Sequence, residues 1–177
     1  SQTISGTTTY KKTVGDKAFT LNAKGKTDLS YSSSNPKVAM VNAKGKVTIK
    51  GTGTTTITVT AKATDKHQKA TKKITVKVGK LKSTTLSYVK KSGSKKLKVS
   101  WKKYANADGY EVQYATKKDF SKSATKSLKV KKAKTTTTTI KKLKSKRTYY
   151  VRVRTYKKVN GKTYYSNWSV SKSMKMK

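Results

Sequence analysis

Residues 97–101 read Leu97-Lys98-Val99-Ser100-Trp101, with an apolar side chain at every second position. A period of two places these apolar residues on one face of a β-strand and predicts that this face is buried. The same alternation recurs at Phe19, Leu21 and Ala23, at Val47 and Ile49, at Ile57, Val59 and Ala61, and at Ile74, Val76 and Val78. No stretch keeps helical spacing beyond a turn or two, and β-branched threonine is abundant. The sequence therefore predicts an all-β protein.

Turn-forming residues separate these strands, as at Asn42-Ala43-Lys44-Gly45, Ala107-Asp108-Gly109 and Asn160-Gly161. Such clusters are typical of hairpins and sandwich corners. Near Val78-Gly79-Lys80-Leu81 the composition changes from Ala, Ser and Thr to Tyr and Trp. We therefore predict two β-sandwich domains, at residues 1–79 and 80–177, each of a size that suits a sandwich.

The first half resembles a bacterial immunoglobulin-like domain of group 2 over residues 10–78. The residues that carry the resemblance are Tyr31-Ser32-Ser33-Ser34-Asn35-Pro36-Lys37-Val38-Ala39-Met40-Val41, Asn42–Ile49 and Gly51–Val59. Physically, the Asn-Ala-Lys-Gly turn joins two short strands, and Gly51 and Gly53 permit a bend where a side chain would obstruct packing.

The second half resembles a fibronectin type III domain over residues 81–177. The resemblance rests on Leu97–Trp101, on Ala107-Asp108-Gly109-Tyr110-Glu111-Val112-Gln113-Tyr114, and on Leu143 followed by Tyr149-Tyr150-Val151-Arg152-Val153-Arg154. It implies core positions for Trp101, Tyr110 and Tyr149, with Tyr149 closing a tyrosine corner onto upstream backbone. Ser145 stands where this family often has proline, which puts the tightness of the corner in doubt.

The two resemblances together imply tandem immunoglobulin-like antiparallel β-sandwiches without catalytic activity. Modules of both families commonly form strings in secreted or surface-attached proteins of Gram-positive bacteria. The sequences of these motifs resemble those of proteins from Clostridia. We therefore expect an extracellular protein, secreted or on the cell surface. Because the chain begins at Ser1 with neither Met nor a signal region, we also expect a piece of a longer protein or a processed form.

The composition is strongly basic. The 177 residues include 45 Lys plus Arg and 6 Asp plus Glu, which gives a formal net charge of +39. Residues 1–80 contain 16 basic and 3 acidic side chains, whereas residues 81–177 contain 29 basic and 3 acidic ones. High charge with 32% apolar residues is common in disordered chains. The alternating strands and the 11 tyrosines argue against disorder here.

No pattern for catalysis, a metal or a cofactor stands out. With no Cys and one His, the chain lacks a thiolate site, and zinc would need several such ligands. Asp65 and His67 share a strand face, but Thr64–Gln68 is interpreted as a solvated hairpin loop. The remaining carboxylates are scattered, mostly in turns. The longest run of aliphatic and Met residues, Val38–Val41, is too short to span a membrane. We expect no enzyme, no cofactor and no membrane insertion.

The strand beginning at Tyr149 presents the first surface feature. Alternation predicts Tyr149, Val151 and Val153 inward, and Tyr150, Arg152, Arg154 and Tyr156 outward. If the strand Tyr110–Tyr114 is its neighbour, Glu111 and Gln113 lie across from the two arginines. One interpretation is a structural cross-strand ladder, with Tyr165 or Trp168 stacked on a guanidinium group. The other is an exposed ligand face formed by Tyr150, Tyr156, Tyr165, Trp168 and the arginines.

The lysine runs form the second surface feature. The candidate polyanion-binding residues are Lys129, Lys131, Lys132, Lys134, Lys141, Lys142, Lys144, Lys146, Arg147, Arg152 and Arg154. Lysine also solubilises a surface, protects sheet edges from aggregation and is favoured by AT-rich genomes. A balanced surface, however, would carry acids beside the lysines. Because self-repulsion destabilises the fold, the imbalance indicates an anionic environment.

Three functions remain open. The first is adhesion to anionic polymers, either cell-wall teichoic acid or sulfated and sialylated host glycans. The second is a purely structural spacer or stalk, and the third is a module that binds a host surface protein. Binding to nucleic acid is expected only as an incidental consequence of charge, because no base-reading motif is present. The sequence alone leaves the parent protein, the natural ligand, the interdomain angle and the oligomeric state open.

Overall fold

A computed structural model describes residues 1–177, and nearly all of its regular elements are β-strands. The single exception is one turn of 3-10 helix at Lys122–Ala124. The chain divides into two compact units, one of residues 1–80 and 159–162 and one of residues 81–158 and 163–177. The all-β prediction is confirmed.

Seven strands in two sheets build the first unit. They are β1 (Thr9–Thr13), β2 (Phe19–Thr20), β3 (Leu29–Ser33), β4 (Ala39–Val41), β5 (Lys46–Ile49), β6 (Gly53–Ala61) and β7 (Ala70–Gly79). One sheet has the order β1-β7-β6-β3 and the other the order β2-β5-β4. Neighbouring strands are antiparallel except β1 and β7, which are parallel, with Thr9 opposite Thr75 and Thr13 opposite Gly79.

The core of the first unit follows from the period-two alternation. Ile57 and Val59 on β6 and Ile74 and Val76 on β7 are fully buried, and so is Val47 on β5 of the other sheet. Their polar neighbours Thr58, Thr60, Lys73 and Lys77 stay at the surface or half-buried. The alternating pattern of the sequence therefore identified the buried face of both sheets correctly.

The first alternating run forms a shorter strand than expected. Regular pairing ends at Thr20, and the predicted continuation through Ala23 is wrong. After Leu21, Asn22 turns toward the start of the chain, where its side-chain oxygen accepts hydrogen bonds from the Thr7 N–H and the Tyr10 hydroxyl. The Leu21 N–H still donates to the Gly45 carbonyl, and the pairing with β5 goes no further.

The turn at residues 42–45 has the geometry that its sequence demands. Gly45 has φ +71° and donates its N–H to the Asn42 carbonyl at 3.0 Å. The Asn42 side chain accepts further hydrogen bonds from the N–H groups of Lys44 and Lys46. A Cβ on Gly45 would lie 2.9 Å from the Tyr31 ring, so only glycine suits both the backbone and the packing.

Eight strands build the second unit. They are β8 (Leu86–Lys91), β9 (Leu97–Trp101), β10 (Gly109–Ala115), β11 (Thr125–Val130), β12 (Thr137–Ile140), β13 (Thr148–Val159), β14 (Lys162–Tyr165) and β15 (Lys172–Lys175). One sheet has the order β12-β9-β8, and the other the order β11-β10-β13-β14, with β15 also paired to β13. The run of threonines at residues 135–139 thus contributes to an edge strand, β12.

The core of the second unit lies between these two sheets. Leu97, Val99 and Trp101 from β9 pack with Tyr110 and Val112 from β10 in one buried cluster. The Trp101 and Tyr110 rings are 5.2 Å apart between centroids. Two sheets that share one apolar core form a sandwich. The predicted fold class, tandem immunoglobulin-like β-sandwiches, is confirmed.

Candidate functional site

A concave cleft in the second unit collects much of the candidate basic surface. Its volume is about 560 Å³, and its walls come from the end of β10, the 3-10 turn, the start of β11 and the β12–β13 loop. The lining residues are Tyr114, Ala115, Thr116, Ser123, Ala124, Lys126, Lys141, Lys142, Leu143, Lys144, Arg147 and Tyr149. Five of the twelve are basic and none is acidic, so the cleft has a positive electrostatic potential.

The β12–β13 loop is fixed at several points. The Lys144 N–H donates to the Tyr149 hydroxyl at 3.0 Å, which is the tyrosine corner, and the Leu143 N–H donates to the Lys95 carbonyl at 3.1 Å. Leu143 is buried between these bonds. Ser145 in place of proline therefore leaves the corner bond intact. The loop presents its basic side chains from a backbone held by hydrogen bonds and by one apolar anchor.

Tyr114 forms one wall of the cleft and lies opposite Lys126 in the β10–β11 register. Its ring centroid is 6.4 Å from that of Tyr149. Burial raises the pKa of Tyr114, and the neighbouring Tyr149 raises that pKa further. The hydroxyl therefore stays protonated at neutral pH and can donate a hydrogen bond, and it has no partner within the chain.

Arg147 is the one arginine of three that lines this cleft. Its carbonyl accepts a hydrogen bond from the Met176 N–H at 2.9 Å, which fixes the backbone at that position. The side chain is exposed and has neither an ion pair nor a hydrogen bond. A guanidinium group with all its donors unused is able to bind an oxyanion in a bidentate manner.

The other two arginines are already paired across the sheet. Arg154 on β13 lies opposite Glu111 on β10, and its Nη2 contacts Oε2 of Glu111 at 2.6 Å. Arg152 lies opposite Gln113, whose Oε1 accepts hydrogen bonds from Nε and Nη2 at 3.0 and 2.7 Å. Burial lowers the pKa of Arg152. The neighbouring charge of Arg154 lowers that pKa further, whereas Glu111 raises it. This register is the one that the sequence predicted.

Aromatic rings cover both faces of these two guanidinium groups. Arg152 lies between Phe120 and Trp168, with its Cζ 4.0 and 4.5 Å from the ring centroids. Arg154 lies between Trp168 and Tyr165, at 4.2 and 3.9 Å. Because the faces and part of the edges are occupied, the column leaves little room for a ligand. The geometry favours the structural interpretation of the ladder.

Tyr156 departs from the prediction of an exposed aromatic face, since only 4% of its surface is accessible. Gly109 lies directly opposite, and a Cβ there would be 2.8 Å from the Tyr156 hydroxyl oxygen. The Tyr156 ring also packs on Tyr165 at 6.2 Å. Burial raises the pKa of Tyr156, although Lys129 acts to lower it. The missing side chain of Gly109 thus lets an outward-directed tyrosine become buried.

Three other members of the proposed aromatic face are half-buried rather than exposed: Tyr150, Tyr165 and Trp168. Tyr150 faces Ala115 on one side and Ser173 on the other in the sheet register. Tyr165 and Trp168 belong to the arginine column. The core candidates Trp101, Tyr110 and Tyr149 are all buried.

The candidate basic residues fall into separate groups. Lys141, Lys142, Lys144 and Arg147 line the cleft, whereas Lys146 is exposed on the same loop outside it. Lys131, Lys132 and Lys134 are exposed between β11 and β12. Lys129 lies over the Tyr156 and Tyr165 rings at 5.3 and 5.8 Å, opposite Glu111 in the register. Arg152 and Arg154 belong to the column.

Sequence reasoning missed two residues of the cleft, Tyr114 and Lys126. Both lie in regular strands, and only the pairing of β10 with β11 brings them to the loop of Lys141–Arg147. The strand pairing that placed Glu111 and Gln113 opposite the two arginines could have revealed them, if it had been extended from β10 to its other neighbour, β11.

Other kinds of site are not formed. No group of three or more His, Asp or Glu side chains is placed to hold a metal ion. His67 and Thr64 form an isolated bridge in a short hairpin loop. No helix is long and apolar enough to cross a membrane.

Two family models match the chain. The intimin immunoglobulin-like domain matches residues 13–64, and the fibronectin type III domain matches residues 84–172. The predicted order of a bacterial immunoglobulin-like domain followed by a fibronectin type III domain is confirmed. Domains of these two kinds commonly serve as adhesion or spacer modules, and they are typically non-catalytic. No curated protein matches the chain.

Several solved structures are similar to this chain at low sequence identity. A structure described as "Myokine structure" is 16% identical with a TM-score of 0.43, covering 55% of this chain and 98% of that one. The chicken CNTN1 FN1-FN3 domains are 15% identical with a TM-score of 0.46, covering 96% of this chain and 63% of that one. The human contactin 1 fn3 domain is 17% identical with a TM-score of 0.42, covering 55% and 80%.

Proposed function

Because the chain belongs to the fibronectin type III family through residues 84–172, with an intimin-type immunoglobulin-like domain before it, we propose that it adheres to anionic polymers as a non-catalytic module pair. We assign residues 1–79 to the immunoglobulin-like domain and residues 80–177 to the fibronectin type III domain. The natural setting of the pair is the surface or the secreted fraction of a Gram-positive bacterium.

The observation that carries this proposal is the unneutralised positive charge. Against 45 basic residues the chain has 6 acidic ones, so most of the basic residues have no acidic side chain to neutralise them; ion pairs within 4 Å include Arg154–Glu111 and Lys157–Asp108. All but three of the basic residues are lysines. Lysine is a flexible point charge, so most of the surface suits diffuse binding to a polymer rather than recognition of one defined group. An anionic partner relieves the mutual repulsion of these charges.

The partner is an anionic polysaccharide or wall polymer, such as teichoic acid or a sulfated or sialylated host glycan. DNA also binds at low salt, because the basic surface displaces the counterions that are condensed on any dense polyanion. Binding to DNA should show no sequence preference.

Chromatography on immobilised heparin and on immobilised poly(glycerol phosphate) tests the proposal. Because charge drives binding, the chain should be retained at ~0.15 M salt and should elute at higher salt. Reductive dimethylation of the lysines keeps their charge and should preserve retention, whereas acetylation removes the charge and should abolish it. Passage of the unmodified chain through both columns at ~0.15 M salt would refute the proposal.

A purely structural spacer or stalk is the second candidate function, and one observation favours it. The first and last strands of the first unit, β1 and β7, are parallel neighbours over five residue pairs. Tension applied at Thr9 and Gly79 pulls the two strands in opposite directions along their length. All the hydrogen bonds between β1 and β7 are therefore loaded in shear at the same time. A module that binds a host surface protein also fits the fold, but no surface of the molecule identifies such a partner.

A further inference from the structure

The cleft differs from the rest of the basic surface in its shape and its donors, and the inference drawn from it rests on the proposed adhesion to anionic polymers. We propose that the cleft is a discrete site for one tetrahedral oxyanion, a phosphate or sulfate ester on a saccharide or polyol unit. Arg147 holds the oxyanion, Tyr114 donates to it, and Lys126, Lys141 and Lys144 surround it.

The first argument is that the Arg147 side chain has no partner, whereas the side chains of the other two arginines do. Arg154 is neutralised by Glu111, Arg152 is bonded to Gln113, and both are stacked between rings. Arg147 has neither kind of partner, although its backbone is fixed by Met176. Its planar fork of donors matches two oxygens of a phosphate or sulfate group.

Tyr114 is the second argument. Its hydroxyl lacks a partner, and its raised pKa keeps the proton in place. A neutral O–H beside several cations adds a directional donor without adding charge. The half-buried ring of Tyr114 also gives the carrier of the oxyanion an apolar surface to contact.

The size and charge of the cleft determine the class of ligand. A volume of about 560 Å³ lies within the range of small-molecule sites. It exceeds what a bare oxyanion fills, so the ligand brings a sugar or polyol unit with it. Five cations without a carboxylate among the lining residues favour a group with dense negative charge. Phosphate esters of a wall polymer and sulfate esters of a host glycan share this chemistry.

Isothermal titration calorimetry at ~0.15 M salt tests the site with two defined probes, a heparin-derived tetrasaccharide and a glycerol phosphate tetramer. We compare the full chain with K126Q/R147Q and with the control K102Q/K103Q, which removes the same charge from an exposed segment outside the cleft. Losing two charged contacts should weaken the better probe at least about tenfold in the cleft variant. The control should change by less than about twofold, as expected for screened surface charge. The tighter probe identifies the source of the ester.

A second measurement does not depend on variants. Since the chain has three arginines, an NMR spectrum of the arginine Nε–Hε groups contains three signals. The Arg147 signal should shift on addition of the better probe, while those of Arg152 and Arg154 should stay. Y114F should weaken binding several-fold without any change of charge, because it removes one donor.

The outcomes separate the site from the adhesion. If both double variants lose affinity equally and no single arginine signal shifts, the discrete site is refuted and diffuse adhesion stands. If the unmodified chain passes through both polymer columns, the proposed function fails and the site fails with it.

Discussion

Tyr149 links the core of the second unit to the loop that carries the basic residues. Its ring is buried with Val151 and Val153, and its hydroxyl accepts the Lys144 N–H at the rim of the cleft. One side chain thus contributes to stability and holds the shape of the candidate site. At this scale the family resemblance predicted the hydrogen bond from Leu143 and Tyr149, while the cleft beside it was not foreseen.

Replacing Tyr149 with phenylalanine should therefore reduce stability. The ring stays, but the Lys144 N–H loses its partner, which we expect to lower the free energy of unfolding by about 1–2 kcal/mol. Urea denaturation at fixed salt measures the effect. Tyr150→Phe serves as the control, because the neighbouring hydroxyl holds no loop N–H. Equal stability of the two variants would show that the corner bond contributes nothing.

Glu111 is the second residue on which much depends, because it faces Arg154 on one side and Lys129 on the other. The Glu111 and Arg154 side chains are only 15% and 24% exposed. Replacing Glu111 with glutamine leaves neighbouring cations without their carboxylate and should lower the free energy of unfolding by about 1–3 kcal/mol.

The matched control for this change is Asp119→Asn, which removes one negative charge from an exposed turn of the same unit. Thermal or urea unfolding measures the loss of stability of both variants. If Glu111→Gln is no more destabilised than Asp119→Asn, the column of arginines and rings does not depend on its carboxylate.

At the scale of elements, the alternation of apolar and polar residues correctly predicted the buried face of core strands such as β6, β7 and β9. It failed at Ala23, which lies beyond the residues that pair with β5, and at Tyr156, because Gly109 leaves room for a large ring. Both failures depend on a partner distant in sequence. The cleft was missed for the same reason, since β10, β11 and a loop have to meet before it exists.

The parallel pair β1–β7 leads to a mechanical prediction. The bonds from the Thr75 N–H to the Thr8 carbonyl and from the Val14 N–H to the Gly79 carbonyl fix the phase of the ladder. By the alternation of a parallel pair, the Lys12 N–H points to β7 and the Lys11 N–H points away from it. Proline at position 12 removes a ladder bond, whereas proline at position 11 of this edge strand keeps it.

Pulling the chain by its termini in an optical trap or force microscope tests this difference. Lys12→Pro should lower the unfolding force of the first unit well below that of Lys11→Pro, because one bond of the shear-loaded ladder is gone. The event of the second unit serves as an internal reference. If the two proline variants unfold at the same force, the β1–β7 ladder does not bear the load.

At the scale of the whole molecule, charge separates this protein from an ordinary pair of sandwiches. The lysines far outnumber the acidic residues, and an anionic partner would relieve their mutual repulsion. The sequence allowed the sign and the uneven distribution of the charge to be predicted. It did not allow the division of the basic residues among a cleft, an arginine column and open surface, since that division depends on tertiary contacts.

The most direct measurement of the central claim is the affinity for a long anionic polymer as a function of salt. We expect the logarithm of the affinity for heparin or poly(glycerol phosphate) to fall linearly and steeply with the logarithm of NaCl concentration, because several ion pairs release counterions. Isothermal titration calorimetry between about 0.05 and 0.5 M NaCl gives this slope, with the acetylated chain as control. An affinity that does not change over this range, or no binding at its lower end, would contradict the account.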